Sequence, residues 1–373
     1  MSKPLAVLVA SLAQGGVGKM RTHLINRFSE LGHRVDLLLG DPRSPYMDKL
    51  HPAVRIIDLG TSNAITGVPA LARYLWREQP EVLLTQRIRV NVLALRARNL
   101  IRSNTRVYVT SNTNITSQLD SMRPEKRAKQ LKLLRKYYPQ NTGIMAVSRG
   151  VADDTAHIIG LPPEQIRVIH NPVITPELDQ LAAIPPDHPW FDETEQTPVL
   201  LGVGRLEPQK DFPNLVRAFA QVRKGQPCRL MILGEGALRP ELQALADSLG
   251  VGNDLAMPGF VSNPYQYMRA ASLFVLSSRW EGSPNGLTEA LAVGTPVVAT
   301  DCPNGPIEIL QQGKLGPLVP MGDSDALAQA IQQTLAAPHP SDFLRAGVAR
   351  YSIENSAHEY LQAMGLPERA HSG

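Results

Sequence analysis

The stretch Ser278-Arg279-Trp280-Glu281-Gly282-Ser283-Pro284-Asn285-Gly286-Leu287-Thr288-Glu289-Ala290-Leu291, which runs on as AVGTPVVATDCPNGPIEIL to residue 310, decides the reading of the chain. It follows the apolar run at Leu273. A loop of Gly, Ser, Pro and Asn leads into a helix at about Gly286, and Gly294-Thr295-Pro296 ends that helix and opens a second apolar run. Short apolar runs separated by helices are the pattern of an α/β protein with parallel sheets. The first N–H groups of such a helix and its positive dipole end suit an anion. Glu281 at the loop entrance and Glu289 one turn into the helix cannot be there to bind that anion. Carboxylates accept hydrogen bonds from hydroxyl groups, so a ligand with both phosphate and hydroxyls fits. Taken singly, each glutamate reads equally well as a surface acid.

Outward from this segment the same pattern occurs twice. Strands are expected near 6–10, 34–39, 82–85, 107–110, 144–147 and 167–169. A second series is expected near 199–203, 229–233, 255–257, 273–276, 296–299 and 318–319. A chain of 373 residues exceeds what one core usually holds, so two domains are expected. Between the series, Asn171 to Thr197 is rich in Pro, Asp and Glu, with Pro185-Pro186 and His188-Pro189 breaking any helix. The expected division is residues 1–172 as an N-terminal acceptor-binding domain, 173–197 as a linker and 198–350 as a C-terminal donor-binding domain. Residues 351–373 form a final helix that packs back on the N-terminal domain.

Two cysteines, Cys228 and Cys302, lie far apart with no C-x-x-C pair, which argues against a disulfide framework or zinc site and fits a reducing cytoplasm. The apolar run Leu5 to Leu12 reads as a first buried strand rather than a signal peptide, and no stretch of about 20 apolar residues is present. The net charge of +4 hides an asymmetry. Residues 1–173 hold 25 Lys and Arg against 12 Asp and Glu, and the remainder holds 13 against 22. A basic N-terminal half favours an anionic partner. Its segment Arg123 to Lys136, RPEKRAKQLKLLRK, reads as a helix whose Leu131, Leu133 and Leu134 among cations could lie on anionic lipid, or as an ordinary solvated helix.

Two further motifs concern phosphate. Gln14-Gly15-Gly16-Val17-Gly18-Lys19-Met20 looks like a P-loop, but Met20 stands where Ser or Thr would hold Mg²⁺ and Ala13 where the first glycine belongs. What survives is a glycine-rich strand-to-helix turn. Gly204-Arg205-Leu206-Glu207-Pro208-Gln209-Lys210-Asp211 sets two cations five positions apart in a loop that follows a strand. Arg205 offers a planar fork and Lys210 a point charge, and the two can converge on a diphosphate.

Glu281 and Glu289, with seven residues between them, closely resemble the E-x7-E signature of the retaining glycosyltransferases of family 4. Their fold is GT-B, in which two Rossmann-like domains face each other across a cleft. The resemblance extends through Gly15-Gly16, Leu31-Gly32-His33, Val147-Ser148-Arg149, His170-Asn171-Pro172, GRLEPQKD at 204–211, Gly234-Glu235-Gly236 and Pro258-Gly259-Phe260-Val261. It implies a hexosyltransferase of cell-surface polysaccharide, lipopolysaccharide or glycoconjugate synthesis. Such an enzyme moves a hexose or N-acetylhexosamine from a nucleotide diphosphate sugar, most commonly a UDP-sugar, to a glycan or lipid-linked acceptor.

Residue by residue, the resemblance implies that Arg205 and Lys210 neutralise the donor diphosphate and that Glu289 holds the ribose. Glu281, with Gly282, Ser283, Asn285, Gly286, Leu287 and Thr288, holds the transferred sugar. The backbone near Phe260 and Val261 meets the base, and Gly16 closes on the donor. The catalytic set is Arg205, Lys210 and Glu281; no protein nucleophile, metal or other cofactor is expected. Many relatives carry a donor-sugar histidine after the strand that corresponds to 106–110. Here that place reads Thr110-Ser111-Asn112-Thr113-Asn114, so Asn112 or Asn114 takes over a sugar or acceptor contact, or the two cap a turn. The location expected is the cytoplasm, peripheral on an anionic membrane face. A binding protein that does not transfer is the alternative. Nucleic acid is disfavoured, because few aromatics interleave with the basic residues.

Overall fold

The computed structural model describes residues 3–12, 16–44, 46–61, 64–192 and 196–367. The chain divides into two units, Met1–Pro172 with Tyr351–Gly373, and Val173–Arg350.

The first unit is built on a seven-stranded sheet in the order β3-β2-β1-β4-β5-β6-β7. The strands are β1 Leu5–Val9, β2 Val35–Leu39, β3 Arg55–Asp58, β4 Val82–Gln86, β5 Arg106–Ser111, β6 Gly143–Ala146 and β7 Ile166–Val168. All pairings are parallel, with Leu5 opposite both Val35 and Val82. Sequences such as LAVLV and VDLLL are buried at every position because both sheet faces are covered. Alternation then sorts the side chains. Ala6 and Leu8 join one core, with the helices Ala64–Glu78, Ile88–Leu100, Pro124–Tyr137 and Arg149–Ile159. Leu5, Val7 and Val9 join the other, with the helix Gly16–Glu30 and the final helix Ile353–Ala363. That last helix supplies Ala357, Tyr360 and Leu361, followed by Met364, and Tyr360 meets Phe28 edge-on at 6.4 Å between ring centroids.

β3 is absent from the sequence expectation. Its four residues alternate between half-buried and exposed, so no continuous apolar run marks it. It is held by charge instead. Asp36 of β2, fully buried, accepts from Arg55 Nε at 2.9 Å and from the Tyr74 hydroxyl at 2.7 Å.

One sequence reading needs correction here. Leu134 is buried, and Leu131 and Leu133 pack against the same core, so the leucines of the basic helix are used by the protein and are not a face left for lipid.

The second unit carries a six-stranded parallel sheet in the order β10-β9-β8-β11-β12-β13. Its strands are β8 Val199–Val203, β9 Arg229–Leu233, β10 Leu255–Gly259, β11 Leu273–Leu276, β12 Val297–Thr300 and β13 Leu318–Val319. The stretch expected as a linker has structure of its own. Leu178–Ala182 is a short helix whose Asp179 pairs with Arg345 at 2.6 Å. Trp190 lies 5.2 Å below the Arg229 guanidinium, and Phe191 meets Tyr267 edge-on. The prolines stop a long helix, but these side chains still anchor the segment to its unit. Residues 193–195 lie outside the described residues.

Candidate active site

Ligands of parallel sheets bind beyond the carboxyl ends of the strands, where each strand hands over to a helix. In the second unit two such loops meet. One follows β8 and carries Arg205 and Lys210; the other follows β11 and carries Glu281. They are stitched together by main-chain and side-chain bonds. Ser277 Oγ donates to the Lys210 carbonyl at 2.7 Å, and the Arg279 N–H donates to the Gln209 carbonyl at 2.8 Å. Gln209 Nε2 donates to the Trp280 carbonyl at 2.9 Å, and Arg279 Nε to Asp211 Oδ2 at 3.0 Å.

This stitching brings Lys210 and Glu281, 71 positions apart in sequence, into direct contact. Lys210 Nζ lies 2.5 Å from Glu281 Oε1, which also accepts from Ser278 Oγ at 2.7 Å. Glu281 is almost buried and Lys210 largely so. Arg205 differs: its side chain is 66% exposed and pairs only at the surface, with Glu207 at 2.8 Å. One cation is therefore fixed in place, and the other is free to turn towards a ligand once it leaves Glu207.

Two glycines shape the first loop. Gly234 and Gly236, after β9, press on its backbone: Gly204 N–H donates to Leu233 and Leu206 N–H to Glu235, both at 2.9 Å. Gly234 has φ +142°, and a Cβ there would fall 1.9 Å from the Gly204 carbonyl oxygen. Gly234→Ala should therefore displace the loop that carries Arg205, destabilising the fold by about 3 kcal/mol, with a parallel loss of turnover. Chemical denaturation and steady-state rates measured on one preparation check this; an unchanged midpoint would contradict it.

The helix Asn285–Ala292 begins where expected, with no side-chain cap on Pro284. Gly282 is buried; Ser283, Asn285 and Gly286 are half-buried at its start. Leu287 and Thr288 are fully buried, and the Thr288 hydroxyl has no hydrogen-bond partner among the described residues. Glu289 is buried and accepts from the Tyr265 hydroxyl at 3.4 Å. Phe260, just past β10, is 52% exposed, and Val261 is half-buried. Cys302 lies beside Glu281; burial first, and then that carboxylate, push its thiol up to about 12, which favours the protonated form.

In the first unit, Gly16 is exposed and opens the helix Gly16–Glu30; Ala13, Gln14 and Gly15 lie outside the described residues. Met20 is buried in that helix. The two asparagines separate. Asn114 caps the helix Ile115–Asp120, accepting from the Ser117 N–H at 2.6 Å. Asn112 follows β5 with both amide atoms buried and without a hydrogen-bond partner.

The sequence reading missed Ser278, Asp211, Arg279 and Gln209, which hold the two loops in register. Asp211 could have been suspected from its place just before a helix; nothing local marks the others.

Residues 14–176 match the family model described as Glycosyltransferase Family 4, and residues 186–350 match that of Glycosyl transferases group 1. The chain belongs to glycosyltransferase family 4. Among its family relatives is the N-acetylgalactosamine-N,N'-diacetylbacillosaminyl-diphospho-undecaprenol 4-alpha-N-acetylgalactosaminyltransferase of Campylobacter jejuni. It is 30% identical over 54% of this chain and 53% of the relative. The lipopolysaccharide 1,6-galactosyltransferase of Escherichia coli K12 is 26% identical over 75% of this chain and 72% of the relative. Several curated relatives are matched over only about a third to a little over half of their length. The solved structure of Anabaena HepE in complex with UDP-glucose superposes with a TM-score of 0.79 at 16% identity, covering 97% of this chain and 99% of that one. At that identity the likeness shows the fold, which is GT-B.

Proposed function

We propose that this family 4 chain transfers a hexose or N-acetylhexosamine from a UDP-sugar, with retention of configuration, to a glycan or lipid-linked acceptor of cell-surface polysaccharide or lipopolysaccharide synthesis. The observation that carries the reading is the Lys210–Glu281 contact at the carboxyl ends of β8 and β11. An ammonium fixed beside a carboxylate joins a phosphate-binding group to a hydroxyl-binding group in one place, as a sugar diphosphate requires.

In this reading Arg205, released from Glu207, and Lys210 take the diphosphate, and the start of the helix Asn285–Ala292 adds its positive dipole end. Departure of the nucleoside diphosphate builds negative charge, and these groups stabilise that charge more in the transition state than before it. Glu281 accepts from hydroxyls of the transferred sugar and Glu289 from the ribose, while Phe260 and Val261 border the base. The donor's own phosphate takes the acceptor proton, so neither a protein nucleophile nor a metal is used. Asn112, whose amide hydrogen-bonding capacity is unspent, is the asparagine available to a sugar hydroxyl; Asn114 is committed to its helix. HepE binding UDP-glucose and relatives named for lipopolysaccharide and undecaprenol-linked acceptors support the donor and acceptor classes.

The test is a panel of nucleotide sugars followed by thermal unfolding and product analysis. A UDP-sugar at 100 times its dissociation constant should stabilise the protein by about 2.7 kcal/mol, and the same donor should yield glycoside with retained anomeric configuration. Stabilisation by none of the panel, or inversion in the product, would overturn the proposal.

A further inference from the structure

The helices Ala64–Glu78, Ile88–Leu100 and Pro124–Tyr137 lie side by side on one face of the first unit's sheet. Their C-terminal ends are bonded together. Thr105 Oγ1 donates to the Pro80 carbonyl at 2.9 Å, which joins the segment after the second helix to the end of the first. Arg98 Nη2 donates to the Gln140 carbonyl at 2.7 Å, which joins the second to the third.

The outward surface of this layer is strongly basic. Residues 64–78, 88–102 and 124–137 contain twelve Lys and Arg against two acids, Glu78 and Glu125, and Glu78 is already paired with Arg55. Cations in the last turn of a helix, such as Arg77, Arg98 and Lys136, are explained by the helix dipole. Lys126, Lys129 and Lys132 are not. They occupy the first and middle turns, are exposed, and pair with no carboxylate among the described residues. The same layer exposes two large apolar side chains, Trp76 at 70% and Leu100 at 65%, each near the C-terminal end of its helix. Tryptophan flanked by arginine, here Arg77, is the side chain that settles at the headgroup level of a bilayer.

We infer that this three-helix face docks the protein on an anionic bilayer, with lysine and arginine on the headgroups and Trp76 and Leu100 entering the interface. The leucines of the basic helix take no part, because the core holds them. With the layer against the lipid, the carboxyl ends of the strands open along the membrane surface rather than away from it, where a lipid-linked acceptor would be met. The inference rests on the proposed acceptor class for its purpose but not for its test.

The full chain should co-sediment with vesicles of phosphatidylcholine and phosphatidylglycerol and not with phosphatidylcholine alone, and 1 M salt, which cuts the screening length to about 3 Å, should release it. Each cation near such a surface is worth about a fivefold change in partition, so K129E/K132E/K136E should lower binding by at least about a hundredfold while its circular dichroism stays that of the wild type. Brominated phosphatidylglycerol should quench tryptophan fluorescence in the wild type and much less in W76F. Equal binding to both vesicle types, wild-type binding by the triple variant, or unchanged quenching in W76F would each overturn the inference. So would tighter binding to duplex DNA than to anionic vesicles, lost in the same triple variant. Vesicle binding without a response to any nucleotide sugar would sink the proposed function alone; the reverse would sink this surface alone.

Discussion

Lys210→Ala should lower kcat/KM for the sugar donor by about 10²–10³-fold, the loss expected when one preorganised donor to a developing anion is removed. The substitution also has a structural cost. Glu281 is nearly buried and, among the described residues, would keep Ser278 as its side-chain partner, so a carboxylate would be left uncompensated, at about 3–5 kcal/mol. The two effects separate in the double variant Lys210→Met, Glu281→Gln. Replacing both charges removes the uncompensated one, so stability should return most of the way to wild type while turnover stays low. Urea unfolding and initial rates on the single and double variants provide the measurement. Turnover in Lys210→Ala within tenfold of wild type would remove Lys210 from the chemistry.

Arg205→Ala should produce a comparable fall in rate, about 10²-fold or more, with no measurable change in stability. The contrast follows from exposure. The Arg205 guanidinium is two-thirds exposed and its ion pair among the described residues, to Glu207, is of the surface kind worth about 0–1 kcal/mol. Unfolding midpoints should therefore coincide for wild type and variant. A fork that reaches the diphosphate only after leaving Glu207 also predicts that Glu207→Gln, which weakens the competing pair, leaves the rate equal or slightly higher. Loss of stability in Arg205→Ala, or a rate near wild type, would contradict the assignment.

Much of the fold was legible because the strands are buried on both faces and read as unbroken apolar runs: β1, β8 and β11 are of this kind. β3 was not, since an edge strand that alternates half-buried with exposed residues carries no such run, and its place depends on Arg55 meeting Asp36 across the sheet. The charged residues of the candidate site were legible as residue types in strand-to-helix loops. Their division of labour was not. Nothing in the local sequence says that Lys210 contacts Glu281 while Arg205 turns aside to Glu207, because that is settled by bonds between loops about 70 positions apart. The asparagine pair was undecided for a related reason. Only backbone geometry shows that Asn114 sits at a helix start and Asn112 does not.

The return of the last helix has a consequence for biosynthesis. The chain leaves the first unit at Pro172 and re-joins it at Tyr351, so in order of synthesis the second unit is an insertion within the first. Residues 173–350 are contiguous and can fold as soon as they emerge. The first unit must wait for Ala357, Tyr360, Leu361 and Met364 before one of its two cores is complete. Until then the core around Leu5, Val7 and Val9 is covered by the helix Gly16–Glu30 without the helix Ile353–Ala363, and the nascent protein is most prone to aggregation in the interval before residues 353–364 emerge.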